Sequence, residues 1–146
     1  GINRAIESNG ACKGMDTLIP YVDEWIMDIK HYDSQKHKQW VGISNEQTIK
    51  TLQTACECHP DVLVRIPLIP QFNASQKDVD GFTMLLEKYA VRENVRVELL
   101  AYHEFGKIKY EQCGRQYLMD SEKITSSQLE TMTNAFVQRG IRVVHT

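Results

Sequence analysis

Two rhythms of apolar residues alternate along this chain. Short runs rich in β-branched and aromatic residues fall at 3–7, 24–30 (EWIMDIK), 61–69 (DVLVRIPLI) and 95–102 (VRVELLAY), and they predict four strands. Between and after them, apolar residues recur at helical spacing. Ile49, Leu52 and Cys56 form one set, Val79, Phe82, Leu86 and Tyr89 a second, and Leu129, Met132 and Phe136 a third. Ser8-Asn9-Gly10 closes the first strand, and short helices are predicted at 15–21 and 34–41, the second closed by Gly42. Ser44 is predicted to cap the next helix with Gln47 as its capping-box partner, Ser75 the one after, and Thr125 or Ser126 the last. Pro67 is expected to disturb the far end of the third strand. Gly140 ends the last helix, and 141–145 can add a short strand. The connection at 103–123 is long for an ordinary loop, which favours a functional role.

Strand-like and helix-like runs therefore take turns from end to end. That order predicts an α/β fold, with right-handed crossovers and a parallel sheet covered on both faces. The 146 residues fit a single domain, 1–146. Gly1-Ile2-Asn3 leads directly into a strand with no initiator Met, so an upstream portion is expected. The first strand would then have an open edge in the isolated chain, inviting self-association.

Composition narrows the function classes. Hydrophobic residues are 42% and charged residues 25%, and the formal net charge is −2. Nothing here forms a basic surface for nucleic acid. No apolar run approaches the roughly 20 residues that span a bilayer, and no signal peptide is apparent. The four cysteines, Cys12, Cys56, Cys58 and Cys113, read as free thiols of a cytoplasmic protein. Cys56 and Cys58 fall in a helical pattern two residues apart, so they face different ways and cannot grip one metal together.

Sites in parallel α/β proteins lie at the C-terminal ends of the strands. Here those ends carry Glu7-Ser8-Asn9, Asp28-Ile29-Lys30, Arg65 leading into Pro67 and Asn73, and Tyr102-His103-Glu104. Asp28 and Lys30, two apart on a strand, point to one face. Flanked by Ile26, Met27 and Ile29, they are costly to bury unless they pair or bind something. Glu7 and Asp28 suit an ammonium group or a cation. Lys30 and Arg65 suit a carboxylate, Arg especially because its planar fork is bidentate. A ligand bearing both amino and carboxylate groups fits this edge. No P-loop and no dinucleotide-type glycine turn is present.

The succession AIESNG, WIMDIK, HKQWVGISNEQTI, VRIPLIP and VELLAYHEFGKIKY resembles the activating enzymes of glycyl radical enzymes, a radical S-adenosylmethionine family that includes the pyruvate formate-lyase activating enzyme. The likeness runs over nearly the whole chain, and its most specific parts are Asp28-Ile29-Lys30 and the run from Tyr102 to Tyr110. It implies the C-terminal part of a partial (β/α)6 TIM-like barrel, with a parallel sheet of about four or five strands. It also implies a 4Fe-4S cluster that reductively cleaves S-adenosylmethionine, and a deoxyadenosyl radical that takes a hydrogen atom from a glycine of a pyruvate formate-lyase-like partner. A flavodoxin or ferredoxin would donate the electron. By the resemblance, Asp28, Lys30 and His103 match cofactor-binding positions and Arg65 a further contact, while Glu7, Ser8 and Asp28 match a monovalent-cation site. Two departures stand out. The cluster motif C-x-x-x-C-x-x-C is absent and is expected upstream, with a Gly-Gly-Glu-type segment, so this chain alone should lack a cluster and activity. Ala101 stands where the family often has Pro. The alternative from a different class is a non-catalytic α/β module that docks a partner protein through 103–123, with Tyr110 and Tyr117.

Overall fold

A computed structural model describes residues 1–89, 91–102, 107–117 and 123–145. Four strands, β1 (Ala5–Ser8), β2 (Glu24–Asp28), β3 (Val62–Leu68) and β4 (Val95–Ala101), form one sheet in the order β1-β2-β3-β4. Every pairing is parallel. The last segment does not extend into a strand. It adds a single parallel bridge, Val97 to Val143, beyond β4.

Among the described residues, five helices accompany the sheet: α1 (Ser34–Val41), α2 (Glu46–Cys58), α3 (Gln76–Leu86), α4 (Lys107–Gln112) and α5 (Ser126–Gln138). A 3₁₀ helix at Met15–Tyr21 precedes β2, and a 3₁₀ turn at Glu87–Tyr89 follows α3. The caps explain where the longer helices start. Ser75 and Gln128 take part in complete capping boxes, Ser75 with Asp78 at α3 and Thr125 with Gln128 at α5. Gly42 ends α1 at φ 93, a left-handed conformation that only glycine adopts freely. α2 corrects the predicted cap. Its N-cap is Asn45, not Ser44, and the Gln47 amide bonds Thr51 Oγ1 at 3.2 Å rather than the backbone. Asn45 is drawn to that position because its side-chain amide donates to His31 O (2.8 Å) and Tyr32 O (2.9 Å). The helix consequently turns Thr48, Thr51, Leu52, Ala55 and Cys56 inward and leaves Ile49 half-buried.

Strand alternation then divides the sheet into two unlike faces. Trp25, Met27, Ile29, Val62, Val64, Ile66, Leu68, Val95, Val97 and Leu99 pack against Leu52 and Cys56 of α2, Val79, Phe82 and Leu86 of α3, and Met132 and Phe136 of α5. The cross-strand register puts Glu7, Ile26, Asp28, Leu63, Arg65, Arg96 and Glu98 on the opposite face. Among the described residues, helices therefore cover one face only, and the expectation of a sheet covered twice is corrected. The second face carries charges, as the inner wall of an open barrel would. Pro67 leaves the β4 side of β3 intact, where pairing runs unbroken from Val62↔Val95 to Leu68↔Ala101, while pairing with β2 ends at Asp28↔Arg65. The long 103–123 connection contains α4.

Candidate functional site

The charged face is built by alternation inside apolar strands. In β2 each second residue, Trp25 and Met27, is sealed in the core, which forces Ile26 and Asp28 to the other side. Lys30 continues that parity just past the strand. Its Nζ lies 3.0 Å from Asp28 Oδ2, with the two side chains 33% and 24% exposed. The pair is partly desolvated yet open to a ligand, so its mutual contact can be exchanged for ligand contacts at small cost.

Arg65, beside Asp28 in the β2–β3 register, is held from both sides. Its Nε donates to Glu98 Oε2 at 2.8 Å and its Nη1 to Glu7 Oε1 at 3.0 Å. The Glu98 hydrogen bond, and then the Glu7 contacts, push the Arg65 pKa up against the opposing effect of burial. Glu98 is 2% exposed. Strand pattern offered one signal for it: a carboxylate in VRVELL at the parity of Arg96. Sequence reasoning passed over it because its partner lies 33 residues away. The five side chains Glu7, Asp28, Lys30, Arg65 and Glu98 carry more negative than positive charge, and they suit a ligand that brings a positive group.

The structure thus brings Glu7, Asp28, Lys30 and Arg65 to one face. It does not bring Ser8 with them. Ser8 pairs with Met27 at the opposite parity, and its Oγ accepts from Gly10 N at 3.1 Å. His103 lies outside the described residues. Among the described residues, no group of three His, Cys, Asp or Glu could hold a metal ion. Cys12, Cys58 and Cys113 are exposed, and Cys56 is buried in α2, where desolvation pushes its thiol up to about 12.

Behind this face, a second polar cluster supports the rim. His31, fully buried, follows Lys30. Its Nδ1 accepts from Asp33 N at 2.9 Å, so the ring is neutral with its proton on Nε2. Nε2 stands 3.3 Å from Asp78 Oδ1, near enough for attraction but outside hydrogen-bond alignment. Burial lowers the His31 pKa, with the Asp78 charge opposing. Burial tends to raise the Asp78 pKa, but hydrogen bonds from Ser75 and Lys36 outweigh it and hold the carboxyl below its usual range. A cavity of about 490 Å³ opens beyond this cluster, between Lys36, Gln71 and Ser75 on one side and Lys123, Thr125 and Gln128 on the other. None of the charged-face residues lines it.

Solved structures place this architecture in a class. The chain superposes on a domain of pyruvate-formate lyase-activating enzyme from Bacteroides vulgatus with TM-score 0.76 and 21% identity, covering 99% of this chain and 81% of that one. A radical SAM methyltransferase from Sphaerobacter thermophilus matches with TM-score 0.68 and 12% identity, over 96% of this chain and 39% of that one. The fold is that of radical SAM enzymes. No family model matches the chain. Relatives are more specific. The choline trimethylamine-lyase activating enzyme of Oleidesulfovibrio alaskensis is 34% identical over 129 residues, 86% of this chain and 42% of the relative. The (2S)-3-sulfopropanediol sulfolyase activating enzyme of Bilophila wadsworthia is 36% identical over 115 residues, 77% of this chain and 35% of the relative. The chain is a partial relative of the activating enzymes of glycyl radical enzymes, and it spans less than half the length of these relatives. Among the described residues no helix is long and apolar enough to cross a membrane.

Proposed function

We propose that this chain supplies part of the S-adenosylmethionine-binding wall of an activase that installs a glycyl radical on a partner enzyme. The observation that carries the reading is the partly exposed Asp28–Lys30 pair on the charged face, in a chain whose relatives are activating enzymes. S-adenosylmethionine presents an ammonium, a carboxylate, a sulfonium and ribose hydroxyls. Asp28 offers acceptors to hydroxyl or ammonium groups, and Lys30 offers donors. Arg65 is committed to Glu98 and Glu7, so its part is to stiffen the wall and set its potential, with any contact to the cofactor made from that fixed position. Glu7 and Asp28 lie on the face where the family's monovalent cation would sit. Ser8 could join them only through its backbone, because its side chain points the other way. His103, outside the described residues, is assigned to the cofactor by the family resemblance alone.

The cysteines of this chain do not fit an iron–sulfur cluster. They are dispersed, and Cys56 is locked in the core as a thiol. We infer that the cluster ligands lie in the part of the enzyme that this chain does not span, with 1–146 forming the C-terminal half of the barrel. The partner is a glycyl radical enzyme, pyruvate formate-lyase-like in the broad sense, with lyases of the kind named for the relatives as the first to test. A flavodoxin or ferredoxin supplies the electron, in the cytoplasm. The isolated chain, open along β1, should self-associate and lack activity.

The test uses the full-length gene product with S-adenosylmethionine, a reductant and candidate partner enzymes. Electron paramagnetic resonance should show a glycyl radical on one partner, with deoxyadenosine formed alongside. Reductive turnover with no deoxyadenosine, under conditions that load the cluster, would reject the reading.

A further inference from the structure

The residues of β3 serve its two neighbours in turn. Val62 N donates to Asn94 O at 2.8 Å, toward β4, and Tyr102 N donates to Leu68 O at 3.1 Å. Toward β2, Trp25 N donates to Asp61 O at 2.9 Å and Ile29 N to Arg65 O at 2.8 Å. Even-numbered residues of β3 thus face β4, and odd-numbered ones face β2. The odd-numbered residue after Arg65 is Pro67, which has no N–H to offer Ile29. The β2–β3 ladder therefore stops at Asp28↔Arg65, while β3–β4 pairing continues to Leu68↔Ala101. The proline thus withholds the backbone N–H that would carry the β2–β3 ladder past Ile29, next to Lys30, and leaves the other side of β3 intact.

A buried side chain closes the gap that the proline leaves. Asn73 is 0% exposed. Its Nδ2 donates to Pro67 O and to Lys30 O, each at 2.8 Å, and its Oδ1 accepts from Ile69 N at 2.7 Å. These partners fix the orientation of the amide, because only the nitrogen can serve two carbonyls. On the far side, Asn45 takes the next two carbonyls, those of His31 and Tyr32. Three consecutive carbonyls beginning at Lys30 are thus held by two buried amides, where a loop would ordinarily turn them to water.

We propose that Asn73 is a positioning residue for the cofactor-binding rim. It splices β2 to β3 where Pro67 has interrupted the ladder, and so fixes the backbone from which Asp28 and Lys30 project. Pro67 leaves the rim without a ladder bond at this point, and the Asn73 amide supplies the link in its place. This rests on the proposed role of Asp28 and Lys30, and the test separates the two.

The experiment measures S-adenosylmethionine affinity by calorimetry on the full-length protein, with the thermal midpoint recorded for each variant. Asn73→Asp keeps the shape and the acceptor for Ile69 but removes the donor to both carbonyls. It should remain folded and lose affinity by about tenfold. Adding Pro67→Ala restores a backbone N–H toward Ile29, and the double variant should recover most of that loss. A merely structural role predicts a lower thermal midpoint with unchanged affinity in the folded protein, and that result overturns the proposal. So does failure of Pro67→Ala to rescue. If Asn73→Asp does not fold, Asn73→Ser, which withdraws the amide donors without introducing a charge, decides. It should weaken binding at least threefold in the folded protein, and wild-type affinity would overturn the proposal. Asp28→Asn is the control for the underlying reading. If it binds normally while Asn73→Asp does not, the reading of Asp28 fails and the splice stands.

Discussion

Replacing Glu98 by Gln removes the buried half of the ladder that holds Arg65. Glu98 is 2% exposed and bonds Arg65 Nε at 2.8 Å, whereas the Glu7 side chain is 54% exposed. Breaking a fully buried ion pair from one side costs about 3–5 kcal/mol. Here the cost is reduced, because the Arg65 side chain is 20% exposed and keeps Glu7. A loss of about 2 kcal/mol follows for Glu98→Gln, within the range for a charge-assisted bond. Glu7→Gln removes a partner that water can replace, so it should cost at most about 1 kcal/mol. Urea unfolding at pH 7 resolves the difference. With a slope of about 2 kcal/mol per molar, Glu98→Gln should move the midpoint by about 1 M and Glu7→Gln by less than half of that. The double variant should lose more than the sum of the singles, because Arg65 is then left with neither carboxylate. Equal effects of the two single variants, or no effect from Glu98→Gln, would refute the claim that Glu98 is the anchor of the wall.

Three further outcomes are expected. A Cβ on Gly81 would lie 2.2 to 2.4 Å from three atoms of the Tyr32 ring, which is itself packed on Phe82. Gly81→Ala should therefore destabilise by about 1 kcal/mol, the overpacking cost exceeding a helix-propensity gain of about 1 kcal/mol. In a Tyr32→Ala background the same change should become stabilising, and thermal melts of the cycle check the sign. Burial lowers the His31 pKa, so the unfolded chain takes up the proton first. The His31 contribution is complete above the ordinary value of about 6.5 and is lost as pH falls toward the folded value. Between pH 7 and pH 5 the wild type should lose stability faster than His31→Gln, and parallel slopes would refute this assignment. The isolated chain should grow in apparent mass with concentration in light scattering, and a Lys placed at Ile6 on β1 should suppress that growth.

Much of the fold was legible because local signals and tertiary packing agree. Three strands lie within the predicted runs, β1 runs one residue past its predicted end to Ser8, and Ser75 and Thr125 cap α3 and α5. Asp28 and Lys30 were legible as a pair because period-two alternation places them on one face whatever the fold. The rest depends on partners distant in sequence. Ser44 was preferred as a cap because nothing local shows that Asn45 bonds the carbonyls of His31 and Tyr32. Pro67 was expected to disturb β3 because sequence does not say which neighbour its missing N–H would have faced. Arg65 was read as suited to a ligand carboxylate, and its contacts with Glu7 and Glu98 were not legible because those residues meet it only across strands. The family, by contrast, came from ordered motifs spread over the chain, and the relatives agree with it.

The most direct measurement is calorimetric titration of S-adenosylmethionine into the full-length enzyme and its Lys30→Gln variant. The dissociation constant should rise about tenfold, or roughly 1.4 kcal/mol, with the thermal midpoint unchanged because Lys30 is partly exposed. An unaltered dissociation constant in a folded, cluster-loaded Lys30→Gln protein would contradict the account.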